Sequence, residues 1–404
     1  MVATSVAAVL STGENVVFPT PVYDSPILTI YNPHELWRLN SSYIAAEYFY
    51  FVFAAATFYH ALTHRKAGNS LGLWLGCLFS GAIVELFTIL SPQIGNFYHT
   101  QASVMVAGRT EPLYMLLGCY GGIQYLAVQL AFTTAPDVDQ SLFRKLGLSL
   151  LSGLAGRYLW SLLDIIGAHM LWWVWHESDK LYEEKISGVP IASSFWILSE
   201  TACIGLVYSC MRLRSALSIS VAMAMMVPLL LNVPFMVLYH PIVELYGRPE
   251  MPLYLMEAAG VVAALLLVTG QRPLNTSRYV FGMAVAFIVA HAVILLVYRN
   301  WAPYNLRYSY GQPFVHRDCH GEMETVFWGT MTRGSFLCPE KIGADKLFTL
   351  GCLSEVPAEG RWYWLCGVEM SPEALMEVTV ELAKASALVM FIFAAARSNK
   401  DKAD

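Results

Sequence analysis

The stretch Leu146–Trp175 reads LGLSLLSGLAGRYLWSLLDIIGAHMLWWVW, thirty residues with two formal charges, Arg157 and Asp164. A helix that crosses a bilayer needs about 20 predominantly apolar residues. This run meets that length, yet it carries a guanidinium and a carboxylate. A charge at the centre of a spanning helix costs about 2.5–3.5 kcal/mol on the insertion scale, and such groups face a bundle interior or a wet cavity. The run therefore reads as a membrane span and as the first place to look for a site.

The same hydropathy recurs along the chain. Further spans are expected at Ser42–Leu62, Ser70–Leu90, Leu113–Phe132, Ile191–Met211, Ile219–Tyr239, Leu253–Gly270, Tyr279–Tyr298 and Ala374–Ala395. The last holds Glu377, Glu381 and Lys384 in its first half, so a helix lying on the membrane surface is the alternative there. The 404 residues are 56% hydrophobic and only 14% charged, with mean hydropathy +0.49. Soluble domains are about 25% charged. The expected fold is all-α, a polytopic bundle of eight or nine spans with a small Cys-rich outer segment. The parts are a loosely ordered outer tail at 1–41 and an eight-helix bundle at 42–298. An outer disulfide-stapled segment at 299–372, a ninth spanning or interfacial helix at 373–396 and a cytoplasmic tail at 397–404 follow. No cleaved leader is read at the start, which lacks a basic region.

Loop charge sets the expected orientation, because cytoplasmic loops are enriched in Lys and Arg. Arg65-Lys66, Arg144-Lys145, Arg212 with Arg214, Arg272 with Arg278, and Arg397 with Lys400 and Lys402 fall in alternate connections. They share one side if the N-terminus is outside and the C-terminus cytoplasmic. Cys319, Cys338, Cys352 and Cys366 then lie together on the outer side, where two disulfides are expected, in one of three connectivities. A Cys/His metal site with His316 and His320 is the alternative, though the spacing is irregular. An oxidising exterior or lumen implies the endoplasmic reticulum or plasma membrane. Asn40-Ser41-Ser42 and Asn275-Thr276-Ser277 both match the glycosylation pattern.

Glu47, Glu85, Asp164, Glu200 and Glu257 all lie inside spans, and with this orientation they fall between the midplane and the outer interface. They are expected to line a shared outward-opening pocket; scattered interfacial pairs are the alternative. Arg157 and Asp164 are seven residues apart, about 10.5 Å along a helix, too far to pair with each other. Each should meet a partner from another helix, with Glu85 and Glu200 as candidates. His169, Trp172, Trp173 and His176 follow helical spacing and read either as an interfacial belt or as an aromatic wall over a ligand. Pro228, Asn232 and Pro234 should break the sixth span.

Glu85, then Asn96-Phe97-Tyr98-His99-Thr100, then Asp164, Trp173-Val174-Trp175 and Gly188-Val189-Pro190-Ile191-Ala192-Ser193 with Trp196 form an ordered series. This order resembles the membrane carotenoid-biosynthesis family that includes carotenoid hydratases. The run Trp172–His176 with Asp179 is also similar to an uncharacterised family of eukaryotic multipass proteins. The first resemblance covers roughly Glu85–Glu200 and implies acid catalysis on an isoprenoid double bond. Asp164 or Glu85 would donate the proton, Glu200 would orient water, and Arg157 would hold one acid ionised. Trp172, Trp173, Trp175, His169, His176, Tyr98 and His99 would bind the ligand.

Three functions stay open: an intramembrane enzyme on an isoprenoid or lipid, an ion- or proton-coupled transporter or channel, and a structural or receptor-like subunit. A continuous polar path reaching the cytoplasmic side would favour transport. No P-loop, GxSxG, HExxH or His-box motif is present, and no cofactor or metal is expected. Membrane lipids are the expected partners. With a net charge of −5 and no basic run, nucleic acid is not one.

Overall fold

The computed structural model describes residues 19–398 apart from 65–66, 92–94, 135–140, 177–183, 213, 270–277, 301–305, 310–322, 327–330, 335–346 and 350–362. Its helices are α1 Pro33–Leu39, α2 Ser41–Thr63, α3 Ala67–Leu90, α4 Met115–Phe132, α5 Leu142–His169 and α6 Ile191–Met211. They continue with α7 Ala216–Tyr246, α8 Glu250–Thr269, α9 Arg278–Tyr298 and α10 Pro372–Ser398. Seven of them, α3 to α9, are long and apolar enough to cross a membrane.

Helix α5 is the axis of the bundle, packed against α4, α6, α8 and α10. Its contact with α6 is close because a Cβ on Gly153 would come 2.6 Å from the Leu198 carbonyl oxygen, and one on Gly156 would come 2.4 Å from Thr201 Oγ1. Small residues at helix interfaces let backbones approach in this way. Helices α4, α5 and α6 are mostly buried, whereas α7 and α8 expose Leu229, Met236, Tyr254 and Leu266. An exposed apolar surface of this kind belongs against lipid. Helix α10 buries Ala374, Val378, Glu381, Ala385, Val389 and Ile392, a single face at helical spacing. It therefore docks along α5 and α9 with Glu381 turned inward, while Glu373 and Glu377 are exposed.

Three features depart from an all-α reading. The stretch expected as a loose tail forms β1 Pro21–Asp24, β2 Leu28–Tyr31 and α1, while residues 1–18 lie outside the described part. The two strands join β4 Val104–Val106 and β5 Glu111–Pro112 in a sheet ordered β1-β2-β4-β5. Glu47 fastens this sheet to α2: its carboxylate accepts the N–H groups of Ser103 (2.9 Å) and Val104 (3.3 Å). The late segment holds β9 Leu306–Ser309, β10 Met323–Val326, β11 Met331–Gly334, β12 Phe348–Thr349 and β13 Tyr363–Gly367. Cys319, Cys338 and Cys352, like the Asn275 pattern, lie outside the described residues.

The expected fourth span is also cut short. Helix α5 stops at His169, and its last carbonyls are closed by the N–H of Met170 onto Ile166 (2.9 Å) and of Trp172 onto Gly167 (2.8 Å). This reversal needs a left-handed residue, and Leu171 supplies it at φ 59°. Trp173–Trp175 then runs as strand β6, not helix, so the helical spacing of Trp172, Trp173 and His176 does not apply. The sixth span breaks as expected, with Pro228 inside α7 and a π-helical turn at Phe235–Tyr239 after Pro234. Asn232 Nδ2 donates to the Pro228 carbonyl at 2.9 Å beside the break.

Candidate functional site

Strand β3, Phe97–His99, pairs antiparallel with β6, placing Phe97 opposite Trp175, Tyr98 opposite Val174 and His99 opposite Trp173. The two tryptophan-rich and histidine-rich motifs thus meet as one ribbon capping α3 and α5. Trp172 and Trp173 are fully buried, and Trp172 Nε1 donates to Ser42 Oγ at 2.9 Å. Tyr98 donates to the Gly95 carbonyl at 3.1 Å, and its ring lies 6.3 Å from that of His176. The Ser187-Gly188 corner between β7 Lys185–Ile186 and β8 Val189–Pro190 is left-handed at both residues and packs on His169. His99, Trp173, Val174, Trp175 and His176 are all buried in this ribbon.

The carboxylates do not share one pocket. Glu257 and Glu381 meet α5 on one flank and Glu85 and Glu200 lie with α4 on another, while Glu47 binds the sheet and Asp164 bonds within α5. On one flank Arg157 lies 3.5 Å from Glu257 of α8 and 3.4 Å from Glu381 of α10. Glu381 also accepts from Ser161 (3.1 Å) and from Lys384 (2.7 Å). Arg157 therefore meets neither Glu85 nor Glu200, because it faces α8 and α10 while those acids come from α3 and α6 on the other side. Asp164 finds its donor within its own helix, Trp160 Nε1 at 3.2 Å.

On the other flank a row of buried polar groups follows α4. At its first end His99 Nε2 lies 3.5 Å from Glu111 on β5. Burial, and then the neighbouring carboxylate of Glu85, push the Glu111 carboxyl well above the ordinary range. Glu85 accepts from Tyr120 at 2.5 Å and lies within electrostatic range of Glu200. Glu200, with no exposure, accepts from Gln124 Nε2 at 2.7 Å. Its second oxygen, Oε1, and Gln124 Oε1 are buried with no hydrogen-bond partner.

The row continues past the middle of the bundle. The Cys77 thiol interacts electrostatically with Glu200 on one side and with Tyr125 on the other. Tyr125 bonds to His60 Nδ1 at 2.7 Å. Gln129 donates to Ser70 Oγ at 3.4 Å, and Ser70 lies 3.3 Å from His64 Nδ1. Glu111, Glu200, Cys77, Tyr125, His60, Ser70 and Gln129 are all buried, whereas Glu85 near one end and His64 at the other are part-exposed. Among the described residues no three His, Cys, Asp or Glu side chains come together as a metal-binding group.

Of the site residues expected from sequence, Glu85 and Glu200 belong to this row and His99 borders it; Asp164 and Arg157 do not. Glu111, Tyr120, Gln124, Cys77, Tyr125 and His60 were missed. A signal for some of them exists: Tyr120 with Gln124, and Tyr125 with Gln129, are polar pairs four apart in one span, hence on shared helix faces.

No curated protein and no solved structure matches the chain, so the resemblance to carotenoid-biosynthesis proteins gains no named relative. Residues 27–397 match the family described as a domain of unknown function (DUF7802), and the chain, a helical protein with seven candidate membrane spans among its described residues, belongs to that family.

Proposed function

We propose that this integral membrane protein conducts protons along the polar row on α4. The single observation that carries this is the row's extent, from Glu111 and Glu85 near one bundle end to His64 near the other. Carboxyl, phenol, thiol and imidazole groups each both give and accept a proton. Intramembrane chains of such groups are the usual substance of proton relays. The unpartnered oxygens of Glu200 and Gln124 leave an acceptor position at the centre, where a proton on Glu200 or a water molecule would complete the path.

The geometry favours this over acid attack on an isoprenoid double bond. Asp164 is engaged by Trp160, and Trp172 and Trp173 are fully buried. The test is reconstitution in liposomes with an internal pH dye and an imposed potassium diffusion potential. The wild-type protein should pass protons, Glu200→Gln and Tyr125→Phe should reduce the rate at least tenfold, and Asp164→Asn should leave it unchanged. Flux no greater than that of empty liposomes, or an unaltered Glu200→Gln rate, ends the proposal.

The proposed orientation has the N-terminus outside and the C-terminus cytoplasmic, in the endoplasmic reticulum or plasma membrane. Its support is the alternation of basic loops. The outer cysteines are proposed to pair as two disulfides, consistent with Cys366 standing apart from the free thiols Cys77, Cys119, Cys203 and Cys210. Protease protection of a C-terminal tag and thiol titration with and without reductant test the two points.

A further inference from the structure

A cleft of about 280 Å³ lies between α5, α8 and α10, on the flank of α5 away from the polar row. Leu154, Val261, Leu265, Leu388 and Phe391 make its walls, with Ala264 and Ala387 leaving the space open. Lys384 and Tyr158 are the polar side chains in the lining. Neighbouring Val261, Val262 and Leu266 of α8 are exposed, so the cleft opens toward lipid and not toward either aqueous loop.

The depth of Lys384 constrains what enters. It stands twelve residues after Pro372, about 18 Å along α10. Tyr158, whose ring it faces, stands near the middle of the 28-residue candidate span α5, so the ammonium lies far below the phosphates of a core about 30 Å thick. The ammonium has three donors. One reaches Glu381 Oε1 at 2.7 Å, and the Tyr158 ring centroid lies 6.0 Å away. The Lys384 side chain is 40% exposed, so its remaining donors face the cleft and the lipid. A donor left in hydrocarbon is costly, and an acceptor carried into the cleft would satisfy it.

Charge balance selects the kind of acceptor. Arg157 and Lys384 are matched by Glu257 and Glu381, two cations against two carboxylates. A further anion would leave the set with excess negative charge in a medium that stabilises charge poorly. A neutral hydroxyl or carbonyl oxygen would accept from Lys384 without disturbing the balance. The volume is at the small end for ligand pockets, which suits one slim chain.

From this we infer that the cleft binds a single-chain amphiphile with an uncharged oxygen at its end, a long-chain alcohol, ketone or aldehyde, entering sideways from the bilayer. Its oxygen accepts from Lys384, and its chain runs along Leu154, Leu265 and Leu388. This site is independent of the proton row, and either can fail without the other.

The experiment is photolabelling of the purified full-length protein in phosphatidylcholine nanodiscs. Three probes are compared, each with a diazirine and an alkyne on its chain: hexadecanol, hexadecanoate and phosphatidylcholine. Hexadecanol should label the Val261–Leu265 and Ala387–Phe391 peptides, and excess plain hexadecanol should abolish that labelling. Lys384→Met should weaken apparent affinity about fivefold to tenfold, the loss of one hydrogen bond. Ala264→Trp, which fills the cleft, should remove saturable labelling. Leu388→Trp serves the same purpose should Ala264→Trp not give a monodisperse protein. Labelling that does not saturate, equal labelling by phosphatidylcholine, or labelling unaffected by the filling variants overturns the site. Preference for hexadecanoate overturns the uncharged end group.

Discussion

Gln124 donates its side-chain amide to Glu200 at 2.7 Å, across the α4–α6 interface at a point without solvent exposure. The bond holds Glu200 in one rotamer, with one oxygen engaged and the other open. Gln124→Leu should therefore destabilise the protein by about 1–3 kcal/mol, the usual penalty for a stranded buried acceptor. Glu200→Gln keeps the shape and should cost less. Thermal unfolding in detergent, followed by tryptophan fluorescence, ranks the two variants.

Arg157 is more important to stability than its role in the sequence reading implied. It holds Glu257 and Glu381 together, and through them joins α5 to α8 and α10. Arg157→Met leaves two carboxylates facing each other and should cost about 3–5 kcal/mol. Adding Glu257→Gln and Glu381→Gln should restore most of that loss. A triple variant no more stable than Arg157→Met would contradict the network.

Asn40 ties two helix ends to one another. Its Oδ1 accepts from the Tyr43 N–H and the Ser42 hydroxyl at the start of α2, and its Nδ2 donates to the Met170 carbonyl at 2.7 Å beyond the end of α5. Asn40→Ala removes an N-cap and uncaps Met170, for an expected loss of about 2 kcal/mol. Asn40 is buried with both amide atoms engaged, so the native protein should carry no glycan there. Enzymatic deglycosylation of the expressed protein should leave the Asn40 peptide unchanged in mass.

Glu111 gives a pH prediction with a definite sign. Its folded carboxyl ionises well above the ordinary value of 4.5, owing to burial and to Glu85. The unfolded chain therefore releases this proton first as pH rises. Its contribution to stability is full below about 4.5 and is lost progressively as pH climbs toward the folded value. Glu111→Gln should flatten that decline. Melting temperatures at pH 4.5 and pH 8 for both proteins measure it, and an equal fall in each would remove Glu111 as the cause.

The helices were legible because span length and apolarity are properties of a local window. Ile191–Met211 and Tyr279–Tyr298 fall within one residue of the structural bounds for this reason, whereas Ser42–Leu62 forms a helix that is not among the candidate spans. The partners of the buried charges were not legible. Which flank of α5 a side chain faces depends on how α8 and α10, distant in sequence, pack against it. Arg157 shows this, since Glu381 lies far along the chain yet supplies its counter-charge. The Trp172–His176 stretch failed differently. Its apolar run continues α5 without a glycine or proline, and the reversal rests on Leu171 adopting an uncommon conformation.

That corner fixes the length of the chain between Asp164 and the ribbon. Side chains on a strand alternate faces, so one residue removed between His169 and Trp173 would turn Trp173 outward and present Val174 to His99, and one residue added would present Trp172 instead. Substitutions can be absorbed there, but insertions and deletions cannot. Any functioning version of this protein must keep that count.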